Sequence, residues 1–293
     1  MKINRIKNYL NKFVFVLPSI ILISGFTLYP LIFAFINSFK RYKLTQPNNI
    51  KFIGFENYIE IFKQKEFIEA LIRTIGLTML LVIVELLIGI IIAIVLSDSF
   101  KGHGIIRSIL ILPIAATPVI VGLTWKLMYD PRVGVINYLL NIIGIKGPLW
   151  LAYSNWALLA VIVMDVWQWT PFMVIILLAG ILGQPKDLFE AALVDGANRY
   201  RVITKITIPL LKKVMGVAIL IRASDVFRLF DQIWMLTRGG PGTATETLTV
   251  HIYRTGFSYF EIGKASAMSF IMLIIMMIFI IFAIKKINLL EET

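Results

Sequence analysis

The segment that decides the fold is residues 183–209, which read GQPKDLFEAALVDGANRYRVITKITIP. Apolar stretches of membrane-spanning length reach it from both sides, over residues 156–182 and 210–236. Inside the segment, apolar residues recur at helical spacing and share one face: Leu188, Phe189, Ala192 and Leu193. Gly196 then interrupts the pattern, because glycine permits the sharp turn that closes a helix. The sequence therefore predicts a short amphipathic helix and a turn between two membrane spans.

The rest of the chain is strongly apolar. Hydrophobic residues make up 58% of its 293 residues and charged residues only 16%, with a mean hydropathy of +0.84. A soluble domain of this length carries more charge. A helix needs roughly 20 apolar residues to cross a bilayer, and six stretches reach that length: 13–39, 71–97, 105–129, 156–182, 210–236 and 264–287. We expect an all-α membrane protein with six transmembrane helices, kinked where prolines fall inside the spans.

The net charge of +12 is carried by Lys and Arg at the ends of these stretches. They form no basic stripe with interleaved aromatic residues, which argues against nucleic acid as a partner. Placing both termini on the cytoplasmic side gives the inner segments, including Lys101 and Arg107, the larger share of basic residues. The basic first outer loop weakens this contrast. The first stretch lacks a small-residue cleavage site, so a retained span is expected rather than a signal peptide.

Several kinds of chemistry are excluded by the residues present. The chain has no cysteine, and its two histidines, His103 and His251, are too far apart in sequence to suggest a metal site. The run Gly239-Gly-Pro-Gly242 lacks the Lys-Ser/Thr of a phosphate-binding loop and is interpreted as a turn. The sequence shows no nucleophile–base pair or metal-binding group, so a membrane-embedded enzyme is not expected. We therefore predict no catalytic residue, no metal ligand and no cofactor.

Charged and amide side chains inside the apolar stretches need a reason, since each charge at membrane depth costs at least about 2.5 kcal/mol. They are Glu85, Asp165, Gln168, Arg222, Asp225, Arg228 and Asp231. The last four are spaced by three, so opposite charges could pair along one helical face. The ladder would then serve only structure, neutralising itself and bonding to neighbouring helices. Alternatively, some line a pathway through the membrane, for which the candidates are Asp165, Gln168, Trp169 and Asp231.

Residue chemistry alone leaves two roles open for the helix in segment 183–209. It could lie on the membrane surface, as many amphipathic helices do. It could instead dock into a groove on a cytoplasmic partner, with the small Ala191 and Ala192 allowing close approach.

The segment resembles the signature of permease subunits in binding-protein-dependent ABC importers. Glu190-Ala-Ala192, three residues, Gly196, nine residues, then Ile206, Ile208 and Pro209 match its spacing, with Ile208 where Leu is usual. The added Asp195-Gly-Ala197 is similar to the carbohydrate-uptake branch, as are stretches 52–58 and 230–254. The Gly-Gly-Pro-Gly loop resembles the first of the two dissimilar permeases that sugar systems usually pair.

This resemblance implies a type I ABC importer permease architecture. Residues 1–70 would hold the N-terminus, first helix and outer loop, and residues 71–287 a five-helix core with a coupling loop at 183–209. The residues implied to contact an ATPase are Leu188, Phe189, Glu190, Ala191, Ala192, Asp195, Gly196 and Pro209. The implied partners are a second permease, an ABC ATPase dimer, an extracytoplasmic solute-binding protein and a sugar or polyol. The implied location is the cell membrane, with both termini cytoplasmic.

A rival function is ion-coupled secondary transport through intramembrane carboxylates, for which Glu85, Asp165 and Asp231 are available. That function leaves the pattern from Glu190 to Pro209 unexplained.

Overall fold

The computed structural model describes residues 2–98 and 102–288, and within them the side chains from residue 16 to 287. Lys101, which the charge pattern assigns to the inner side, lies outside the described residues. The helices are α1 (Lys2–Ser38), α2 (Glu56–Lys63), α3 (Lys65–Ser97), α4 (His103–Ala115), α5 (Pro118–Met128), α6 (Val135–Ile142), α7 (Ser154–Leu182), α8 (Lys186–Val194), α9 (Arg199–Val202), α10 (Ile208–Phe227), α11 (Asp231–Leu236), α12 (Leu248–Tyr253) and α13 (Ile262–Asn288). Two short antiparallel strands, β1 (Lys40–Arg41) and β2 (Lys51–Phe52), pair Lys40 with Phe52.

Five of the six predicted membrane spans have counterparts among these helices that are long and apolar enough to cross a membrane; in the described residues the fifth stretch, 210–236, has none. Within residues 2–98 and 102–288, four helices are long and apolar enough to cross a membrane: α1 over Val16–Ser38, α3, α7 and α13. The pair α4 and α5 passes the same test as one span bent by 96°. The first, second, fourth and sixth predicted stretches are therefore continuous helices, whereas the third is broken.

Proline chemistry explains the break in the third stretch. Pro113 lies near the end of α4 and Pro118 opens α5. A residue that precedes proline is pushed out of the helical region, and Thr117 is extended at φ −66°, ψ 142°. Ala116 is extended as well. The two half-helices therefore meet at a sharp bend inside the span.

The fifth predicted stretch, 210–236, is also not one helix. α10 ends at Phe227, and α11 begins at Asp231 after a short irregular segment. The carbonyl of Leu229 in that segment accepts hydrogen bonds from the hydroxyls of Thr247 and Thr249, at 3.0 and 2.7 Å. These bonds satisfy a backbone group that the broken helix leaves free, as burial requires.

The chain forms two compact units, Met1–Lys65 with Ile252–Ile274, and Glu66–His251 with Ile275–Thr293. The predicted division at residue 70 stays a prediction. In the second unit, glycines allow close helix contacts. A Cβ on Gly89 of α3 would lie 2.8 Å from Met173 of α7, and one on Gly180 of α7 would lie 2.8 Å from Leu211 of α10.

In the first unit, the short sheet is anchored by side chains of α2. The amide of Asn57 donates to the carbonyls of Ser38 and Lys40, at 2.8 and 2.9 Å. Glu261 pairs with Lys43 at 2.5 Å and with Lys264 at 3.4 Å. Burial alone would raise the pKa of Glu261, but the hydrogen bond from Lys43 and the charge of Lys264 outweigh it and hold that pKa below its ordinary value.

Candidate functional site

Segment 183–209 folds into the predicted helix and turn. α8 ends just before Gly196, which has φ +72°. The N–H groups of Gly196 and Ala197 donate to the carbonyls of Leu193 and Ala192, at 3.1 and 2.9 Å. This pair of bonds is the Schellman helix end, and the residue at the position of Gly196 must be left-handed. The glycine of the predicted turn is therefore required by backbone conformation.

The apolar side chains of α8 are largely exposed. Of its nine residues, all described, none is buried. Phe189 and Ala192 are half-buried, whereas Leu188, Leu193 and Val194 are 45%, 67% and 87% exposed. The predicted apolar face is thus divided: Phe189 and Ala192 pack partly against the protein, whereas Leu188 and Leu193 are exposed. The other predicted contact residues are also exposed: Glu190, Ala191, Asp195, Gly196 and Pro209.

Contacts at both ends tie this loop to the helices around it. The side-chain amide of Gln184, just after α7, donates to the carbonyl of Thr207, just before α10, at 3.1 Å. Arg199 of α9 pairs with Asp98 at the end of α3, at 2.5 Å. The loop is therefore closed on itself and joined to three helices of the second unit.

A buried charge network lies within the helices of the same unit. Arg222 of α10 donates from Nε and a terminal nitrogen to the two carboxylate oxygens of Glu85 of α3, at 2.7 and 2.9 Å. It also donates to the carboxylate of Asp165 of α7. Its guanidinium carbon lies 4.8 Å from the ring centroid of Trp169. Because all three charged side chains are at most 1% exposed, each charge depends on the others for stability.

The ladder of charges along the fifth stretch is only partly present. Arg228 pairs with Asp225 at 2.9 Å, three residues earlier, as the spacing predicts. The prediction that Arg222 and Asp231 continue this ladder is wrong. Arg222 bonds to the neighbouring helices α3 and α7, which the structural alternative also predicted, and Asp231 begins a separate helix beyond the break.

Gln168 of α7 stabilises both broken spans. Its amide nitrogen donates to the carbonyl of Ala116, at the bend between α4 and α5, at 3.0 Å. Its oxygen accepts from the amide of Gln232, on α11 after the second break. Gln168 and Gln232 are at most 1% exposed. Two amides thus satisfy backbone and side-chain groups where the spans are interrupted.

A polar cavity of about 310 Å³ opens beside this network. It is lined by Pro118, Trp169, Arg222, Asp225, Arg228, Leu229, Phe230, Asp231 and Gln232. Of the predicted pathway residues, Trp169 and Asp231 line the cavity, whereas Asp165 and Gln168 lie behind it and hold Arg222 and Gln232. Arg222 and Gln232 were not among the predicted pathway residues. Arg222 could have been found from the sequence, because its charge is opposite to the charges of Glu85 and Asp165 in other apolar stretches. No feature of the sequence pointed to Gln232.

The glycine-rich run after α11 is a turn, as predicted. Gly239 and Gly242 have φ +86° and +58°. The hydroxyl of Thr245 donates to the carbonyl of Gly240 at 2.9 Å, and the N–H of Gly239 donates to the hydroxyl of Thr237 at 3.1 Å. Threonine side chains therefore close the turn.

A helical membrane protein with two interrupted spans, a polar cavity at the interruptions and an exposed loop helix has the features of a transport subunit. Comparison with known proteins agrees. The family described as "Binding-protein-dependent transport system inner membrane component" matches residues 85–288. The chain is 40% identical over 243 residues (83% of this chain, 78% of the relative) to a probable ABC transporter permease protein, y4oQ, of Sinorhizobium fredii.

Two further likenesses extend over nearly the whole chain. The trehalose/maltose transport system permease protein MalF of Thermococcus litoralis is 34% identical over 276 residues, which are 93% of this chain and 92% of the relative. A crystal structure of a bacterial ABC transporter involved in the import of the acidic polysaccharide alginate contains a similar chain. That chain has a TM-score of 0.85 and 26% identity, with 97% of both chains covered.

The chain therefore belongs to the family of inner membrane components of binding-protein-dependent transport systems. It is a multi-pass membrane protein of the all-α class with the type I ABC importer permease architecture. It is a permease subunit and not an enzyme. The resemblance to carbohydrate-uptake permeases is confirmed by the relatives.

Proposed function

We propose that this chain is one of the permease subunits of an ATP-driven importer, forms part of the path of a sugar or related polyol, and couples to a separate ATPase through α8. The observation that carries the proposal is α8 itself, in which Glu190 and Ala191 of the signature are exposed and whose end is fixed by the exposed Gly196. Exposed apolar side chains such as Leu188 and Leu193 suit a contact with another protein.

The coupling residues are proposed to act as one docking surface. Leu188, Glu190 and Ala191 lie on the exposed side of α8, with Asp195 and Gly196 at its end. Small and apolar groups next to a carboxylate fit a shallow cleft with a basic rim. Pro209 lies in the first turn of α10, and the loop 183–209 runs into that helix, so movement of the loop would pass to α10.

The ligand path is proposed to run past the polar cavity. Trp169 offers an aromatic face for the apolar side of a sugar ring, and Asp231 an exposed carboxylate for its hydroxyl groups. Asp165 and Gln168 would act indirectly, by positioning Arg222 and Gln232 at the wall. The names of relatives that transport trehalose, maltose or alginate support a carbohydrate ligand.

The proposed assembly contains a second permease, an ABC ATPase dimer and an extracytoplasmic solute-binding protein. Residues 71–287 would form the five-helix core in the cell membrane, with both termini and the loop 183–209 in the cytoplasm. An ion-coupled transporter is the weaker alternative, because it leaves the pattern from Glu190 to Pro209 unexplained and because two of its three candidate carboxylates, Glu85 and Asp165, pair with Arg222.

Charge reversal on α8 tests the proposal. The purified complex of this chain with its co-expressed subunits is reconstituted into vesicles, and ATP-driven sugar uptake is measured with the binding protein present. Glu190→Lys should abolish uptake and reduce ATPase co-purification while the chain still inserts in the membrane. Glu66→Lys reverses an exposed glutamate on α3 and should leave both unchanged. Normal uptake by Glu190→Lys, or uptake driven by an ion gradient without ATP, would contradict the proposal.

A further inference from the structure

A second, apolar groove lies between α3, α4 and α7 of the second unit. Its volume is about 260 Å³, and its walls include Leu96, Leu110, Val174, Leu178 and Ala179. Arg107 is the only charged residue of the lining. Asp98, two residues after Leu96, pairs with Arg199 of the loop 183–209. The groove therefore lies at the end of the unit that carries this loop.

The guanidinium of Arg107 has more hydrogen-bond donors than acceptors around it in the described part of the chain. A terminal nitrogen donates to the carbonyl of Leu96 at 2.7 Å. Its Nε is buried, and no group in the described part of the chain accepts a hydrogen bond from it. No carboxylate among residues 16–98 and 102–287 forms an ion pair with Arg107 either. A guanidinium carries five N–H donors, and a buried donor without an acceptor is unfavourable.

The adjacent helix end adds to the positive potential. α4 begins at His103, one turn before Arg107, and its N-cap residue is Gly102, which has no side chain. The N-terminus of a helix attracts anions through the helix dipole. The surface of the groove is apolar throughout and favours hydrocarbon, and the guanidinium of Arg107 at its margin favours an anion.

We propose that this groove binds an anionic phospholipid, with the phosphate at Arg107 and one acyl chain between α3, α4 and α7. A guanidinium matches phosphate in geometry and charge. Basic pockets between membrane helices on the cytoplasmic side bind anionic headgroups. A free phosphate would leave the apolar walls uncovered, and an apolar helix of another subunit would leave the guanidinium without an acceptor.

Lipid retention by the full-length chain tests this assignment. The chain is purified in mild detergent, with the subunits that accompany it, from a membrane containing phosphatidylglycerol and phosphatidylcholine. Bound lipid is quantified by native mass spectrometry. The unaltered chain should retain phosphatidylglycerol in preference to phosphatidylcholine. Arg107→Gln should lower the retained phosphatidylglycerol about fivefold, since one basic residue contributes about 1 kcal/mol to anionic lipid binding.

Two further variants separate the parts of the site. Arg201→Gln removes an exposed arginine near α8 that does not line the groove and should retain lipid like the unaltered chain. Ala179→Phe fills the groove from an exposed position and should lose the lipid although Arg107 is intact. Thermal unfolding of each variant verifies that it is folded.

Three results would overturn the assignment. One is equal phosphatidylglycerol retention by Arg107→Gln and the unaltered chain. The second is an equal loss in Arg201→Gln, which would indicate general attraction by basic residues. The third is a photo-crosslinker at Ile175, in the groove wall, that labels another protein subunit and no lipid.

Discussion

Replacement of Arg222 by glutamine should strongly destabilise the chain. Arg222 is the cation that pairs with both Glu85 and Asp165, and each of these three side chains is at most 1% exposed. Removing one partner of a buried ion pair costs about 3–5 kcal/mol, because a charge stays buried without compensation. We expect the upper part of that range, since Glu85 loses two hydrogen bonds, of 2.7 and 2.9 Å, and Asp165 loses another.

Arg228→Gln is the matched control. Arg228 follows α10 immediately and pairs with Asp225 at 2.9 Å, but its side chain is 60% exposed. An exposed pair contributes at most about 1 kcal/mol. The two arginine-to-glutamine variants should therefore differ in the free energy of unfolding by at least about 2 kcal/mol.

Titration with a denaturing detergent, followed by the fluorescence of the six tryptophans, gives the free energies of unfolding. The double variant Glu85→Gln/Arg222→Gln tests the mechanism of the loss. It leaves Asp165 as the one charged member of the network, so it should be more stable than Arg222→Gln alone by about 1 kcal/mol or more. The reasoning would be refuted if Arg222→Gln were no less stable than Arg228→Gln, or if neutralising Glu85 brought no recovery.

Three further predictions concern the loop, the cavity and the first unit. Gly196→Asn should keep ATP-driven uptake, whereas Gly196→Val should lose most of it. The backbone angle φ +72° costs about 1–2 kcal/mol for most residues but less for asparagine. Equal losses of uptake in the two variants would contradict a backbone role for Gly196. Trp169→Ala should raise the sugar concentration for half-maximal uptake roughly tenfold. Trp156 lies outside the cavity, so Trp156→Ala should leave that concentration unchanged. Equal effects of the two variants would show that Trp169 is not part of the sugar path. The pKa of Glu261 is lowered, so its stabilising contribution is complete above the ordinary value of 4.5 and is lost as pH falls through the lower folded value. Hydrogen-exchange protection at residues 40–43, corrected for intrinsic rates, should therefore fall in acid in the unaltered chain and show no such step in Glu261→Gln.

Local sequence patterns predicted the elements that depend on local interactions. Apolar length located α7, where residues 156–182 were expected and Ser154–Leu182 are helical. Helical spacing located α8, and the turn at Gly196 followed from the conformational freedom of glycine. Both features are set by neighbours within a few residues in sequence, so they could be predicted from the sequence alone.

The breaks in the spans depend on contacts that are distant in sequence. The interruption after Phe227 is stabilised by hydroxyls of Thr247 and Thr249, 18 and 20 residues beyond the Leu229 carbonyl that they bind. In the same way, the partners of Arg222 are 57 and 137 residues away. Spacing by three along α10 favoured a local ladder, but burial selected carboxylates on other helices, because a buried guanidinium needs several acceptors that its own helix cannot supply.

The loop 183–209 and the buried charge network around Arg222 are joined by the same pair of helices, α7 and α10. α7 carries Asp165 in the network and Gly180 near the loop, and α10 carries Arg222 in the network and Leu211 near the loop. Leu211 and Arg222 are eleven residues apart on a continuous helix, or about 16 Å along its axis. The close approach at Gly180 leaves no space between the helices there, so a displacement of α8 would move both as packed rods.

The first irregular backbone that such a displacement meets on α10 is the break at residues 228–230, where the polar cavity lies. Arg222 and Asp225 would move with α10, whereas Gln232 of α11 is bonded to Gln168 of α7. One side of the cavity wall is therefore carried by α10 and the other is bonded to α7, and the Arg222–Asp165 pair is a contact between these two helices. A small shift between α7 and α10 would change the shape of the cavity without unfolding either helix, which is the kind of rigid-element movement that alternating access requires.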